Sequence, residues 1–214
     1  MIDTLLFDFD GTLVDTAADL NHAVNIIRQH LELAPLPLEI TTPIAGNGAR
    51  ALLLAGNDIH DNIDSHVAAL FDYYKDNLHR ETKLYAGMEQ VLKHIEKTGM
   101  HWGIVTNRLE YLTRPLLVKL NLQPAIVVCG DNVTHTKPHP ESVIKAYTVL
   151  NKTPEQCLFV GDNIRDIKAG KAAGVKTVAA LYGYIDRMDA PANWGADYQI
   201  KHPEELTDLI NTDN

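Results

Sequence analysis

Residues 5–16 read LLFDFDGTLVDT, an apolar run that ends in two aspartates, Asp8 and Asp10, followed at once by Gly11 and Thr12. Leu5, Leu6, Phe7 and Phe9 suit a strand buried on both faces, which leaves two carboxylates at its carboxyl end with no ready partner. An unpaired buried carboxylate costs several kcal/mol, so the pair calls for a bound cation. Open α/β sheets take their ligands beyond the carboxyl ends of their strands, which puts this acid pair where chemistry is expected.

Short apolar segments rich in β-branched residues recur at 102–106, 125–129, 157–161 and 176–181. With residues 4–9 they make five expected strands. Helical stretches fall at 88–98, 111–120, 140–150 and 164–173. This alternation predicts an α/β chain with a Rossmann-like parallel sheet covered by helices on both faces. One interval departs from it. Residues 15–82 hold amphipathic helical runs at 17–31 and 66–78 and a joint broken by Pro35, Pro37 and Pro43, but no strand. The expected organisation is a core of residues 1–14 and 83–214 with an all-helical cap of residues 15–82, inserted where it can close over the acid pair. Residues 211–214 read as frayed.

The chain has 214 residues and a formal charge of −9 from 19 basic and 28 acidic side chains, which argues against a nucleic-acid partner. No apolar run reaches the length of a membrane span, and the N-terminus opens directly as a strand, so a cytoplasmic protein is expected. Cys129 and Cys157 lie in apolar strand-like runs and are expected as buried, reduced thiols.

Three further strand ends complete a set with Asp8 and Asp10. The second strand ends in IVTN, placing Thr106 and Asn107 at its exit, where a hydroxyl, an amide and backbone N–H groups suit a phosphate oxygen. Lys137 follows the third strand in THTKPHP, and the fourth ends in GDNIRD, which gives Asp162 at the strand tip and Asp166 on the first turn of the next helix. Carboxylates in excess of cations imply Mg²⁺, a hard ion held by few carboxylates, waters and a substrate phosphate.

Other patterns carry less. A calcium loop beginning at Asp8 fails, because its glycine comes fourth instead of sixth and its twelfth residue is Asp19, not glutamate. Gly46-Asn47-Gly48-Ala49-Arg50-Ala51 follows no strand and reads as a helix start in the cap, not a dinucleotide fingerprint. Arg50 is either a cap residue that reads the substrate or one half of a solvent-facing salt bridge. His135 and His139 flank Lys137 and are read as turn and helix-start residues. Trp194 and the Gly183-Tyr184-Ile185 segment are read as core or loop packing.

The four segments DFDGT, VTN, TKP and GDNIRD resemble, as a set and in order, the motifs of the haloacid dehalogenase superfamily, over essentially the whole chain. The helical insertion resembles the cap of its phosphoglycolate phosphatase-like branch. Within that branch, LYGYIDRMDAPANWGAD (residues 181–197) is similar to the N-acetylmuramic acid 6-phosphate phosphatases. The resemblance implies a Mg²⁺-dependent phosphomonoesterase acting on a small phosphorylated metabolite, 2-phosphoglycolate or N-acetylmuramic acid 6-phosphate. It implies that Asp8 is the nucleophile that becomes an aspartyl-phosphate and Asp10 the general acid and base. It further implies that Asp8, the Asp10 carbonyl, Asp162 and Asp166 hold the metal, while Gly11, Thr106, Asn107 and Lys137 meet the phosphoryl oxygens. A sugar phosphomutase or phosphotransferase would share these motifs.

Overall fold

The computed structural model describes residues 1–212. Its strands are β1 (Thr4–Phe7), β2 (Val14–Asp15), β3 (Lys83–Leu84), β4 (His101–Val105), β5 (Ile126–Val128), β6 (Cys157–Gly161), β7 (Lys176–Ala180) and β8 (Tyr198–Ile200). All but β2 and β3 join one parallel sheet in the order β5-β4-β1-β6-β7-β8. β1, buried at every position, takes the centre. The chain builds outward from β1 on the β4 side and then returns to its other side with β6, so the sheet's switch point lies at the carboxyl end of β1.

Alternate side chains of β1 feed two cores. Leu5 and Phe7 pack with Ile104, Leu158 and Val160 on one face, and Leu6 packs with Val105, Val128 and Phe159 on the other. Helices cover both faces: α5 (Met88–Lys97), α6 (Glu110–Lys119), α7 (Glu141–Val149), α8 (Ile164–Ala172) and α9 (Glu205–Thr212). The α/β architecture read from the sequence is the one observed. Residues 211 and 212 are the end of α9, and residues 213–214, also read as frayed, lie outside the described residues.

β1 stops two residues short of the segment read as a strand. Asp8 N–H still donates to the Val160 carbonyl, but Phe9 N–H turns to the Asp8 carboxylate at 2.7 Å, which ends the ladder. β8 had no expectation at all. With three residues at the sheet edge, only one of them buried, it carries no apolar run to read.

Between β2 and β3 lie α1 (Ala17–His30), α2 (Leu38–Thr41), α3 (Ala49–Leu54) and α4 (Ile63–Asp76). α1 and α3 both pack on α4. β2 and β3 pair antiparallel, Val14 with Leu84 and Asp15 with Lys83, so the chain leaves for the helices and comes back through one two-residue ribbon. Asp19, buried on α1, ties the return segment down. Its carboxylate accepts the backbone N–H groups of Arg80, Glu81 and Thr82 at 3.0 Å and the Thr82 hydroxyl at 2.6 Å. Arg28 is buried and forms a two-pronged pair with Asp58 at 2.6 and 2.7 Å. Cys129 and Cys157 are buried free thiols, as expected, and burial pushes them up to about 11 and about 12. Among the described residues no helix is long and apolar enough to cross a membrane.

Candidate active site

Register brings the motif residues to one level. Phe7 pairs with Ile104 on one side and Val160 on the other, so the chain segments carrying Asp8, Thr106 and Asp162 leave the sheet side by side. Asp8, Asp162 and Asp166 are all buried, and each offers a carboxylate oxygen within 4.8 Å of the others'. Lys137, 3 % exposed, is the cation among them. Its ammonium meets Asp8 Oδ1 at 2.8 Å, Asp166 Oδ1 at 2.7 Å and the Val105 carbonyl at 2.8 Å. Burial opposes that charge, but Asp166 and Asp8 outweigh it and hold the lysine above its ordinary pKa.

Each carboxylate is oriented by its own local structure. Asp166 closes a capping box at the start of α8, accepting the Asn163 N–H at 3.0 Å. Asp162 accepts the Thr12 hydroxyl at 2.9 Å and the Tyr184 N–H at 2.7 Å. Burial, then the charges of Asp8 and Asp166, push Asp162 far above the usual carboxylate range. Burial also lifts Asp166, against the pull of Lys137, to about 6. Three buried carboxylates against one ammonium leave an excess of negative charge, and all three donors are hard oxygens. This cluster fits a divalent cation.

Asp10 points elsewhere. Its Oδ1 accepts from the Thr16 hydroxyl at 2.6 Å and from Arg108 Nη1 at 3.1 Å, so its carboxylate stands apart from the cluster and only its main chain is left to serve there. A cleft of about 150 Å³ opens above the pair. Asp8, Asp10, Thr106, Asn107, Arg108 and Arg165 line its polar side, and α1, α3, α4 and α6 supply an apolar wall that includes Leu20, Leu52, Phe71 and Leu112.

Several sequence expectations need correcting. The Gly11 N–H, expected to meet a phosphoryl oxygen, donates to the Val14 carbonyl at 2.9 Å. The glycine is required for another reason: its φ is +83°, and a Cβ there would stand 2.1 Å from Asp162 Oδ2. The Asn107 side chain donates to the Lys137 carbonyl and accepts from its N–H, each at 2.9 Å, so it clamps the lysine's backbone instead of facing a phosphate. The Lys137 ammonium, expected to meet a phosphoryl oxygen, is taken up here by two carboxylates and the Val105 carbonyl. Thr106 is buried beside the cleft, and its hydroxyl accepts the Arg108 N–H at 3.2 Å. Arg50 takes the salt-bridge alternative: it pairs with Asp64 on the exposed face of the helices and does not line the cleft.

The basic residues that do line it, Arg108 and Arg165, were missed. A basic residue in a loop or a first helical turn reads as solvated, so neither carries a sequence signal. Arg165 reaches from α8 to the Gly46 carbonyl, linking the core to the inserted helices. Tyr184 was read as packing. Its N–H holds Asp162 while its hydroxyl donates to Asp15 at 2.9 Å and accepts the Thr16 N–H at 2.6 Å. Trp194 is core packing, as read. His135 and His139 lie exposed before α7, their rings 4.7 Å apart, near Glu141, which holds the N–H groups of Thr134 and His135.

Comparison with known proteins follows the same outline. Residues 5–180 match the family model of the haloacid dehalogenase-like hydrolases. The N-acetylmuramic acid 6-phosphate phosphatase of Pseudomonas aeruginosa is 36% identical over 212 residues, covering 97% of this chain and 94% of that protein. A phosphoglycolate phosphatase of Xanthomonas campestris pv. campestris is 36% identical over 206 residues, covering 94% and 93%. Among solved structures, a Haemophilus somnus protein described as a predicted phosphoglycolate phosphatase superposes with a TM-score of 0.86 at 24% identity, over 98% of each chain. CbbY from Rhodobacter sphaeroides, solved in complex with phosphate, gives 0.76 at 21% identity over 96% of each chain.

Proposed function

The chain belongs to the haloacid dehalogenase-like hydrolases, and from that premise we propose that it is a Mg²⁺-dependent phosphomonoester hydrolase working through an aspartyl-phosphate on Asp8. The observation that carries this reading is the buried cluster of Asp8, Asp162 and Asp166 around Lys137, of which Asp8 lines a cleft at the switch point of the sheet. Its substrate is a small phosphorylated metabolite. The names of the 36%-identical relatives nominate 2-phosphoglycolate and N-acetylmuramic acid 6-phosphate.

The chemistry follows from the residues. The Asp8 carboxylate attacks phosphorus, the ester bond to the leaving oxygen breaks, and Asp10 delivers its proton to that oxygen. Asp10 then takes a proton from the water that attacks the phosphorus of the acyl phosphate, which returns Asp8 and releases inorganic phosphate. Lys137 sits against the nucleophile and offsets its charge, and Thr106 stands beside the cleft to meet a phosphoryl oxygen. A Mg²⁺ ion would be held by Asp8, the Asp10 carbonyl, Asp162 and Asp166, and when bound would supply positive charge for the phosphoryl oxygens. Residues 15–82 act as a cap on the core of residues 1–14 and 83–214. The cap excludes water when closed, with the ribbon of β2 and β3 as the hinge.

The test is inorganic phosphate release from both nominated substrates, with Mg²⁺ and with a chelator. Mg²⁺-dependent release supports the reading. Transfer of the phosphoryl group to a substrate hydroxyl, with little free phosphate, would replace it with a phosphomutase.

A further inference from the structure

Arg108 is the most unusual charge in the cleft. Its side chain is 6% exposed, it donates to Asp10 at 3.1 Å, and its Nε is buried with no hydrogen-bond partner. The guanidinium lies over the Tyr74 ring, 5.0 Å from its centroid, and 6.0 Å from that of Phe9. Tyr74 comes from α4 in the inserted helices. It is 1% exposed and lines the same cleft, with its hydroxyl beside the Arg108 guanidinium. A buried donor of Arg108 thus lacks an acceptor where the core and the insertion meet at one cleft, an arrangement that costs stability unless a ligand completes it.

Building on the phosphatase reading above, we propose that Arg108 and Tyr74 form the specificity subsite of this enzyme and receive a carboxylate of the substrate. The position of Arg108 sets where that carboxylate must be. The guanidinium is one hydrogen bond from Asp10, the residue assigned to the ester oxygen, so the anion lies one or two carbons from that oxygen. The cleft agrees in scale: its volume of about 150 Å³ is of the order that holds one benzene. It accommodates the phosphoester of a short hydroxy acid. A guanidinium fork stacked on an aromatic ring is also the arrangement that binds a carboxylate through two parallel hydrogen bonds.

The test compares 2-phosphoglycolate with 2-hydroxyethyl phosphate, which has the same skeleton with an alcohol in place of the carboxylate. The readout is the ratio of kcat/KM for the two, measured within each protein so that any general loss of activity cancels. The wild type is expected to favour the carboxylate by roughly 100-fold or more. Arg108→Met is expected to bring that ratio near unity, Arg108→Lys to restore part of it, and Tyr74→Phe to lower it by roughly tenfold. Arg50→Ala, altering a basic residue outside the cleft, leaves the ratio unchanged. If Arg108→Met is inactive on both esters, the ratio in Arg108→Lys and Tyr74→Phe decides. Equal hydrolysis of both esters by the wild type, or a preference that survives these substitutions, overturns the subsite and leaves the phosphatase reading standing. No phosphate release from either ester or from N-acetylmuramic acid 6-phosphate overturns both.

Discussion

Lys137 Nζ lies 2.7 Å from Asp166 Oδ1, a contact between a lysine and a carboxylate that are both withdrawn from solvent. The same ammonium reaches Asp8, so one cation serves an acid beyond β1 and another in the first turn of α8. Removing one partner of a buried pair strands the other. Lys137→Met is therefore expected to destabilise the metal-free protein by about 3–5 kcal/mol in urea unfolding. Mg²⁺ is expected to return part of the loss. Unfolding at the wild-type midpoint would show that the carboxylates do not depend on this lysine.

Asp166 gives the cluster a pH dependence of known sign. Its carboxyl is lifted from 3.8 to about 6 in the folded protein, so between those values the folded state holds a proton that the unfolded state has lost. The contribution of Asp166 to the stability of the metal-free protein is expected to be full below about 4 and to be lost as pH rises through about 6. A bound divalent cation favours the ionised form and reverses the trend. Urea midpoints across this range, with a chelator and with Mg²⁺, check both signs. A chelated protein whose stability relative to Asp166→Asn rises through this window would contradict the account.

Gly11 is the position where the backbone leaves least room. A methyl group there meets Asp162 Oδ2 at 2.1 Å and Tyr184 Cδ2 at 2.8 Å, at a φ of +83°. Gly11→Ala is expected to displace Asp162, weakening the Mg²⁺ dependence curve by at least tenfold in the concentration needed for half activity. An unchanged curve would show that Asp162 has no part in holding the ion.

Much of this was legible in the sequence, and the boundary between legible and illegible has a physical cause. Strands buried on both faces announce themselves as apolar runs, so β1, β4, β5, β6 and β7 were each placed to within about two residues. Asp8, Asp162 and Asp166, which the fold brings together, stood out in the sequence as carboxylates following such runs. Roles set by contacts across the fold did not. β2 and β3 pair across the whole helical insertion. Asn107 contains nothing to say that it clasps the backbone of Lys137. Arg50 and Arg108 are both basic residues in polar surroundings, and only three-dimensional packing buries one and exposes the other.

Asp19 offers a test of the hinge. It is the common acceptor for three successive backbone N–H groups at the end of the inserted helices. Asp19→Ala is expected to cost about 3 kcal/mol or more, because those donors are left without a partner. If the ribbon beside it is the hinge of a cap, the same substitution raises KM more than it lowers kcat. A loss of stability with KM unchanged would confine Asp19 to a structural role.

The central claim is that phosphorus passes through Asp8, and the most direct measurement is acid-quench mass spectrometry of the Asp8 peptide during turnover. The substrate is whichever ester the wild type hydrolyses, and the protein is the Asp10→Asn variant. Without Asp10 to take a proton from water, release slows and the phosphoryl group is expected to accumulate on Asp8. Asp8→Asn is expected to show neither adduct nor turnover while keeping its fold. Phosphate release with no adduct on Asp8 at any quench time, or turnover by Asp8→Asn, would contradict the account.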